Sequence, residues 1–492
     1  MTLQALLQDL LCDLARGDWT QEVPALACDS RKASSGGLFV CVPGFDSDGH
    51  DWAGDAYKNG ARMFLCTRIP DGIADKKDCT VALCEDTRKG LALVSARWFG
   101  FPARRLKVIG ITGTKGKTSI TQLLKNALEA AGHSVGVIGS MGAHFADCEV
   151  PSMNTTPESY EIHSLLRRMA DAGAEYCVME ASSQGFLLDR TYGLRFDASV
   201  FTNISADHIS KTEHTDFGQY LECKKMIFGQ SELTFVNRDA EKYSEIIDGV
   251  TAPVQLYGFG ANADIRAKNV RCGRSKGKLG VTFTVQSPFA EAFPMRVNQP
   301  GRFSASNALA AVCVALYFGI PAEAIQAGMR DTVVCGRMEQ LHVPAPYSLV
   351  IDFAHNRLSV RSMIETARQY KPRRVICVFG LEGERAKVRR LDSGELLGKG
   401  VDHTILANAS PRRTDPMEII GDIAGAIDEA GGKYSVIPDR REAIRFALDM
   451  AGEDDLVLLV GKGDKRYEEV HGEKIPFDER EVVAEYFANK EE

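Results

Sequence analysis

The chain has 492 residues, 44% hydrophobic and 25% charged, with a net charge of -7, a length that exceeds one core and points to about three domains. The acidic balance gives no reason to expect nucleic acid or an anionic membrane surface as a partner, and no apolar run approaches the ~18 residues that span a bilayer. Thirteen cysteines, an odd number without a Cys-x-x-Cys pair, argue against a disulfide framework or a zinc site and fit free thiols in a reducing cytoplasm.

Residues 1–103 read as a first domain of mixed short elements. Leu3, Leu6, Leu7, Leu10, Leu11 and Leu14 fall at helical spacing, interrupted by Asp9 and Asp13, and predict a docking helix, not a signal peptide. Further on, Asp29-Ser30-Arg31 precedes a glycine turn and a buried strand, and groups a carboxylate, a hydroxyl and a guanidinium. Two readings stay open there: a polar ligand such as a nucleotide sugar, or a surface salt bridge.

Residues 104–335 alternate strands with helices, the pattern of a mainly parallel sheet covered on both faces. At its start the β-branched run 107–112 stops at Gly113-Thr114-Lys115-Gly116-Lys117-Thr118, and a helix follows with Ile120, Leu123, Leu124, Ala127, Leu128 and Ala131 on one face. Strand, glycine turn and helix make a phosphate loop, shorter than a full Walker A sequence: glycines bring backbone N–H groups to phosphate oxygens, Lys117 adds a mobile cation and Thr118 offers Mg²⁺ a hydroxyl. The hydroxyl-rich loop Asn154-Thr155-Thr156-Pro157 comes next, then apolar strands running into Glu180 and toward His208. Ligands of open α/β sheets lie beyond the carboxyl ends of strands, so both side chains are aimed at the phosphate loop. There they complete an Mg²⁺ shell with Thr118, or serve as a helix cap and a surface histidine. Lys224 lies in a helical segment beside an aromatic residue, and spacing does not separate it from Lys225.

Gly301 to Asn307 opens an alanine-rich helix, and Cys335-Gly-Arg-Met-Glu339 is a candidate linker. Residues 336–492 alternate again, with strands expected at 348–352, 374–379, 403–406 and 456–460. The turns after them, holding Asp352 to Asn356, Gly380 to Arg385, Asn408 to Arg412 and Gly461 to Asp464, should form one rim over a nucleotide. The basic run Lys387 to Arg390, Arg389 included, reads as a solvated face.

Taken in order, these motifs resemble those of the Mur ligase family, ATP-dependent enzymes that add amino acids to the peptidoglycan precursor. The carriers are Asp29 to Arg31, Gly113 to Thr118, Asn154 to Pro157, Glu180 to Ser183, Asn203 to His208, Lys224, Asn307, Gly336 to Glu339, Asp352 to His355 and Gly461 to Gly463, which span nearly the whole chain. Within the family the chain is most similar to the branch that adds the third residue. Lys115, Gln184 and the stretch 207–214 look most like the form in lysine-adding Gram-positive bacteria.

The resemblance implies three α/β domains: a UDP-sugar domain (1–103), a central P-loop ATPase-like parallel sheet (104–335) and a C-terminal Rossmann-like acceptor domain (336–492). It implies ATP and two Mg²⁺ ions, with Lys224 converted by CO₂ to a carbamate that joins Thr118, Glu180 and His208 as metal ligands. It implies that Asp29, Ser30 and Arg31 meet the uridine diphosphate, and that Thr155, Thr156, Ser182 and Arg190 meet the muramoyl dipeptide. Gly113 to Thr118, Asn307, Arg337 and Asp352 then hold ATP, Lys117, Lys224 and His355 are catalytic, and Arg385, Ser410, Arg412, Gly461 and Lys465 bind the acceptor amino acid. The implied reaction adds L-lysine or meso-diaminopimelate to UDP-N-acetylmuramoyl-L-Ala-D-Glu through an acyl phosphate, by a cytoplasmic monomer with small-molecule substrates and neither nucleic-acid nor membrane partners.

The acceptor loop departs from the pattern. Diaminopimelate-adding members carry Asp-Asn-Pro-Arg where this chain has Ala409-Ser-Pro-Arg412, and a glutamate at the position of Lys465. A basic pocket is expected, repelling a lysine side chain; the acceptor then carries an extra carboxylate, or the chain is a paralogue with an unusual acceptor. A polyglutamate-adding or cyanophycin-type ligase, and a nucleotide-dependent binding protein without amide synthesis, are the competing readings.

Overall fold

The computed structural model describes residues 1–44, 47–205, 214–275 and 277–491. It divides into two compact units, Met1–Arg266 with Ser287–Ala290 and Leu309–Gly328, and Ala267–Gln286 with Glu291–Ala308 and Met329–Glu492.

The first unit holds two sheets. The N-terminal sheet has the order Cys12–Arg16, Thr80–Cys84, Met63–Cys66, Leu38–Val40, Leu26–Ala27, parallel except for its antiparallel first strand. The leucine-rich start is a helix only over Leu3–Leu7; Cys12–Arg16 pairs with Thr80–Cys84, and Leu11 is 94% exposed. The expected longer helix is thus corrected: ladder hydrogen bonds to a distant strand outweigh the local leucine spacing after residue 7.

In the central sheet Lys107–Thr112 lies between Tyr176–Glu180 and Ala198–Phe201, all parallel. Thr234–Asn237 and Val254–Gly258 extend one side in parallel, while Val135–Gly139 and two antiparallel strands, Gly142–Phe145 and Cys148–Val150, extend the other. Helices cover both faces, so the middle strands are buried without alternation. The phosphate-loop helix Lys117–Ala130 packs Ile120, Leu123, Leu124, Ala127 and Leu128 inward; Ala131 is its C-cap, outside the buried stripe.

The second unit contains Lys278–Gln286 paired antiparallel with Phe293–Val297 and a six-stranded sheet ordered Glu339–Leu341, Ser348–Asp352, Leu456–Val460, Val375–Phe379, His403–Leu406, Tyr434–Val436. All but the first strand are parallel. Separate apolar clusters fill its two faces. The four expected strands are present, one beginning a residue late at Val375, and Cys335 to Glu339 falls inside this unit. The basic run is not wholly solvated, because Arg390 is buried on Glu418 (2.8 Å) and Asp422 (2.9 Å).

Candidate active site

The central strand order puts the carboxyl ends of Lys107–Thr112, Tyr176–Glu180 and Ala198–Phe201 side by side, and the phosphate loop turns there. Gly113 has φ 139° and Gly116 φ 92°, and a Cβ on Gly113 would sit 1.9 Å from Thr202 Oγ1, so only glycine closes this turn. Asn203 Oδ1 accepts from the Lys115 N–H (3.0 Å) and Thr202 Oγ1 donates to the Lys115 carbonyl (2.7 Å), tying the loop to the neighbouring strand end. Lys117 Nζ donates to the carbonyls of Gly113 (2.8 Å) and Thr114 (3.3 Å).

Glu180 is buried at the end of its strand and is not a helix cap; Ser182 is, accepting from the Gly185 N–H (3.0 Å). The Glu180 carboxylate accepts from Thr118 Oγ1 (2.9 Å), from the Ser140 N–H (3.1 Å) and from Ser140 Oγ (3.1 Å). Ser140 Oγ also lies 3.0 Å from Thr155 Oγ1. Lys224, 1% exposed, donates to the Gly113 carbonyl (3.1 Å) and lies 4.8 Å from the centre of the Tyr220 ring, whose hydroxyl meets Thr114 Oγ1 at 2.9 Å. Lys225 instead points to the Asp248 carbonyl at the surface, which separates the two lysines.

One pocket is lined by Lys117, Lys224, Asn154, Thr155, Ser182, Ser183, Gln184, Arg190 and His214. Arg190 donates to Glu158 (2.8 Å) and to the Thr156 carbonyl (2.9 Å), and Thr156 Oγ1 donates to the Glu180 carbonyl (2.8 Å). His214, fully buried, meets Ser183 Oγ at 2.9 Å. Among the described residues no group of three or more His, Cys, Asp or Glu side chains is gathered as for a metal; His208 lies outside the described residues.

In the N-terminal sheet Asp29 caps the turn Ser30–Lys32 and forms a two-pronged pair with Arg31 (2.9 and 2.8 Å), which keeps the Asp29 carboxyl below its ordinary range. Burial pushes the adjacent Cys28 thiol up to about 12.

In the second unit the turns after four parallel strands hold His355, Arg385, Ser410, Arg412, Gly461 and Lys465, and Asp352 closes the first of those strands. Asp352 accepts from the N–H groups of Met338 (2.7 Å) and Ala354 (2.8 Å), and His355 Nδ1 is 2.8 Å from the Phe353 carbonyl. Arg337 lies 4.9 Å and Lys465 5.4 Å from the centre of the Phe353 ring. Asn307 is buried on the helix Arg302–Tyr317. Gly461 has φ 109° and passes so close that a Cβ would lie 2.0 Å from the Gly380 carbonyl oxygen. Ser410 Oγ accepts from the Glu469 N–H (3.2 Å).

Within the turn after Val375–Phe379, Glu382 is buried against Lys465, Arg385 (3.0 Å) and Arg412 (3.2 Å). Burial pushes its carboxyl up, but Lys465 and then Arg385 prevail and hold it at about 2. Arg412 also reaches Glu469 (3.4 Å) and Glu384 (4.0 Å). The expectation of a purely basic pocket is therefore corrected: three cations are met by three carboxylates.

Three family models match the chain in order: "Mur ligase family, catalytic domain" over residues 22–91, "Mur ligase middle domain" over 111–315 and "Mur ligase, glutamate ligase domain" over 336–463. A relative from Clostridium perfringens, named UDP-N-acetylmuramoyl-L-alanyl-D-glutamate--2,6-diaminopimelate ligase, is 36% identical over 497 residues, covering 100% of both chains. The chain belongs to the Mur ligase family. A Caldanaerobacter subterraneus subsp. tengcongensis relative of the same name is 37% identical over 97% of each chain. A solved structure of a ligase with that name matches the fold with a TM-score of 0.74 at 24% identity, covering 100% of this chain and 99% of its own.

For this Mur ligase, the sequence-predicted Lys117, Lys224, Thr155, Ser182 and Arg190 share one pocket, and Thr118 joins Glu180 beside it. Asp29 and Arg31 engage each other. Sequence reasoning missed Ser140, which holds Glu180 and Thr155 together, and Glu382, which gathers Arg385, Arg412 and Lys465. Ser140 directly follows the buried strand Val135–Gly139 while Glu180 closes its own, and that place at a strand end was its one signal. Glu382 stood in a turn already singled out, but nothing in the sequence paired it with Lys465.

Proposed function

We propose that this chain is an ATP-dependent amide ligase adding the third amino acid, a diamino acid of the 2,6-diaminopimelate type, to UDP-N-acetylmuramoyl-L-Ala-D-Glu. The observation that carries the reading is the pocket in which Lys117 and Lys224 face Thr155, Ser182 and Arg190. Phosphate-binding and carboxylate-binding groups meet there, as a reaction between a triphosphate and a substrate carboxylate requires. The relatives' names supply the acceptor class. We assign the work to three segments, 1–103 for the UDP-sugar, 104–335 for ATP and 336–492 for the acceptor, and place the enzyme in the cytoplasm as a monomer.

In this reading the D-glutamyl γ-carboxylate attacks the γ-phosphate of ATP, giving an acyl phosphate and ADP. The acceptor amine then attacks that carbonyl, and phosphate leaves. Loop N–H groups and the helix N-terminus hold the phosphates, and the Lys117 ammonium exchanges the Gly113 and Thr114 carbonyls for phosphate oxygens. Arg190, oriented by Glu158, and the Thr155 and Ser182 hydroxyls hold the dipeptide so that its carboxylate lies in line with the phosphate.

The hydroxyl of Thr118 and the carboxylate of Glu180 are adjacent hard oxygen donors, which fit Mg²⁺. His208 and a carbamate on the buried Lys224 would complete the donor set. When bound, the ions screen the repulsion between a carboxylate and a triphosphate. ADP release from the purified chain with ATP and UDP-N-acetylmuramoyl-L-Ala-D-Glu should depend on added 2,6-diaminopimelate. Release that ignores the amino acid would contradict the reading.

A further inference from the structure

We propose that Arg88 is a positioning residue that joins the two ends of the UDP-sugar dipeptide site, holding the exit of an N-terminal strand against the turn that carries Arg190. The proposal rests on the amide-ligase reading. Arg88 is the second residue of the helix Thr87–Trp98, which Asp86 caps. Its side chain is 12% exposed and reaches three segments far apart in sequence. Nη2 donates to the Pro43 carbonyl, in the chain leaving the strand Leu38–Val40. Nη1 donates to the Leu188 carbonyl (3.2 Å) and lies 3.5 Å from Glu158 Oε2. Thr87 Oγ1 donates to the Cys41 carbonyl (2.8 Å), so the same helix start holds the strand exit at two points. Leu38–Val40 runs parallel to Leu26–Ala27, which leads into Asp29 and Arg31, so both exits lie at one end of the N-terminal sheet.

Glu158 divides its two oxygens between two arginines. Oε2 faces Arg88, and Oε1 takes Nε and Nη2 of Arg190 (both 2.8 Å). Arg190 Nη1 donates to the Thr156 carbonyl (2.9 Å), and the other N–H groups of its guanidinium are left for a substrate carboxylate. Without Arg88, both Glu158 oxygens are open to Arg190, and a two-pronged pair draws it away from the dipeptide. The Leu188 carbonyl, two residues before Arg190, loses its anchor in the same change. In the ligase reading the uridine diphosphate lies on the N-terminal sheet and the dipeptide in the pocket of the central one. Only a ligand that spans both gains from a fixed separation.

The test measures, by calorimetry on the full chain, the Kd of UDP-N-acetylmuramoyl-L-Ala-D-Glu and the Kd of UDP alone. In Arg88→Met the Kd of the whole substrate should rise at least about fivefold, while that of UDP stays within about twofold of the parent. With Arg190→Met already present, adding Arg88→Met should change the whole-substrate Kd by less than about twofold, because the residue it positions is gone. A smaller rise in Arg88→Met, an equal loss for UDP alone, or a full effect without Arg190 overturns the proposal. Amino-acid-dependent ADP release from the parent then still upholds the ligase reading. A parent that does not bind the UDP-sugar dipeptide overturns both. If Arg88→Met does not fold, Arg88→Lys decides by the same criteria, since one ammonium cannot fork across both carbonyls.

Discussion

Glu382 shows how a single side chain can set both the charge and the stability of a region. Its carboxyl is held at about 2 against an ordinary 4.5, so the folded state binds fewer protons than the unfolded chain between those values. The stabilisation, roughly 3 kcal/mol for a shift of this size, is fully present above about pH 5 and is lost as the pH falls toward 2. Urea unfolding of the parent and of Glu382→Gln should therefore converge as pH drops from about 5 to about 2. A constant difference across that range would remove the assignment. Thr118 offers a second test at the same scale. Thr118→Ala keeps the loop and its helix but deletes the hydroxyl on Glu180; kcat/KM for ATP should fall by about 100-fold or more with little change in melting temperature. Unchanged ATP kinetics would take Thr118 out of the site.

Among the elements, those whose signals are local were legible in the sequence. The strand Lys107–Thr112, its glycine turn and the helix Lys117–Ala130 could be read because β-branched residues, glycine and helical periodicity are neighbours in the chain. The same periodicity misled at residues 8–14, where pairing with Thr80–Cys84 decides the structure. Contacts between residues far apart in sequence carried no such signal, and the second unit depends on one of them. Arg440, buried with Glu479 (2.7 Å), donates to the carbonyls of Val460 (2.8 Å) and Asn408 (3.1 Å), so it ties together the carboxyl ends of the strands Leu456–Val460 and His403–Leu406. Arg440→Ala strands a buried carboxylate and should cost about 3–5 kcal/mol in unfolding free energy. A loss under about 1 kcal/mol would mean the pair is not what holds those strand ends.

At the scale of the whole molecule, the order of motifs told more than any one of them. Asp29 and Arg31 taken alone form a salt bridge, and that is what they form here; only their place before a phosphate loop, a Glu180 strand and a Gly461 turn ties them to the family pattern. The turns of the second unit were least legible, because Arg385, Arg412 and Lys465 are only one side of a cluster whose other side is Glu382, Glu384 and Glu469.

The most direct measurement incubates the purified chain with ATP, Mg²⁺, UDP-N-acetylmuramoyl-L-Ala-D-Glu and a panel of amino acids, and reads product masses. The account predicts a product heavier by one 2,6-diaminopimelate residue, formed with one ADP per bond and in preference to any lysine product. ATP and UDP-sugar binding with no mass gain from any amino acid would contradict it.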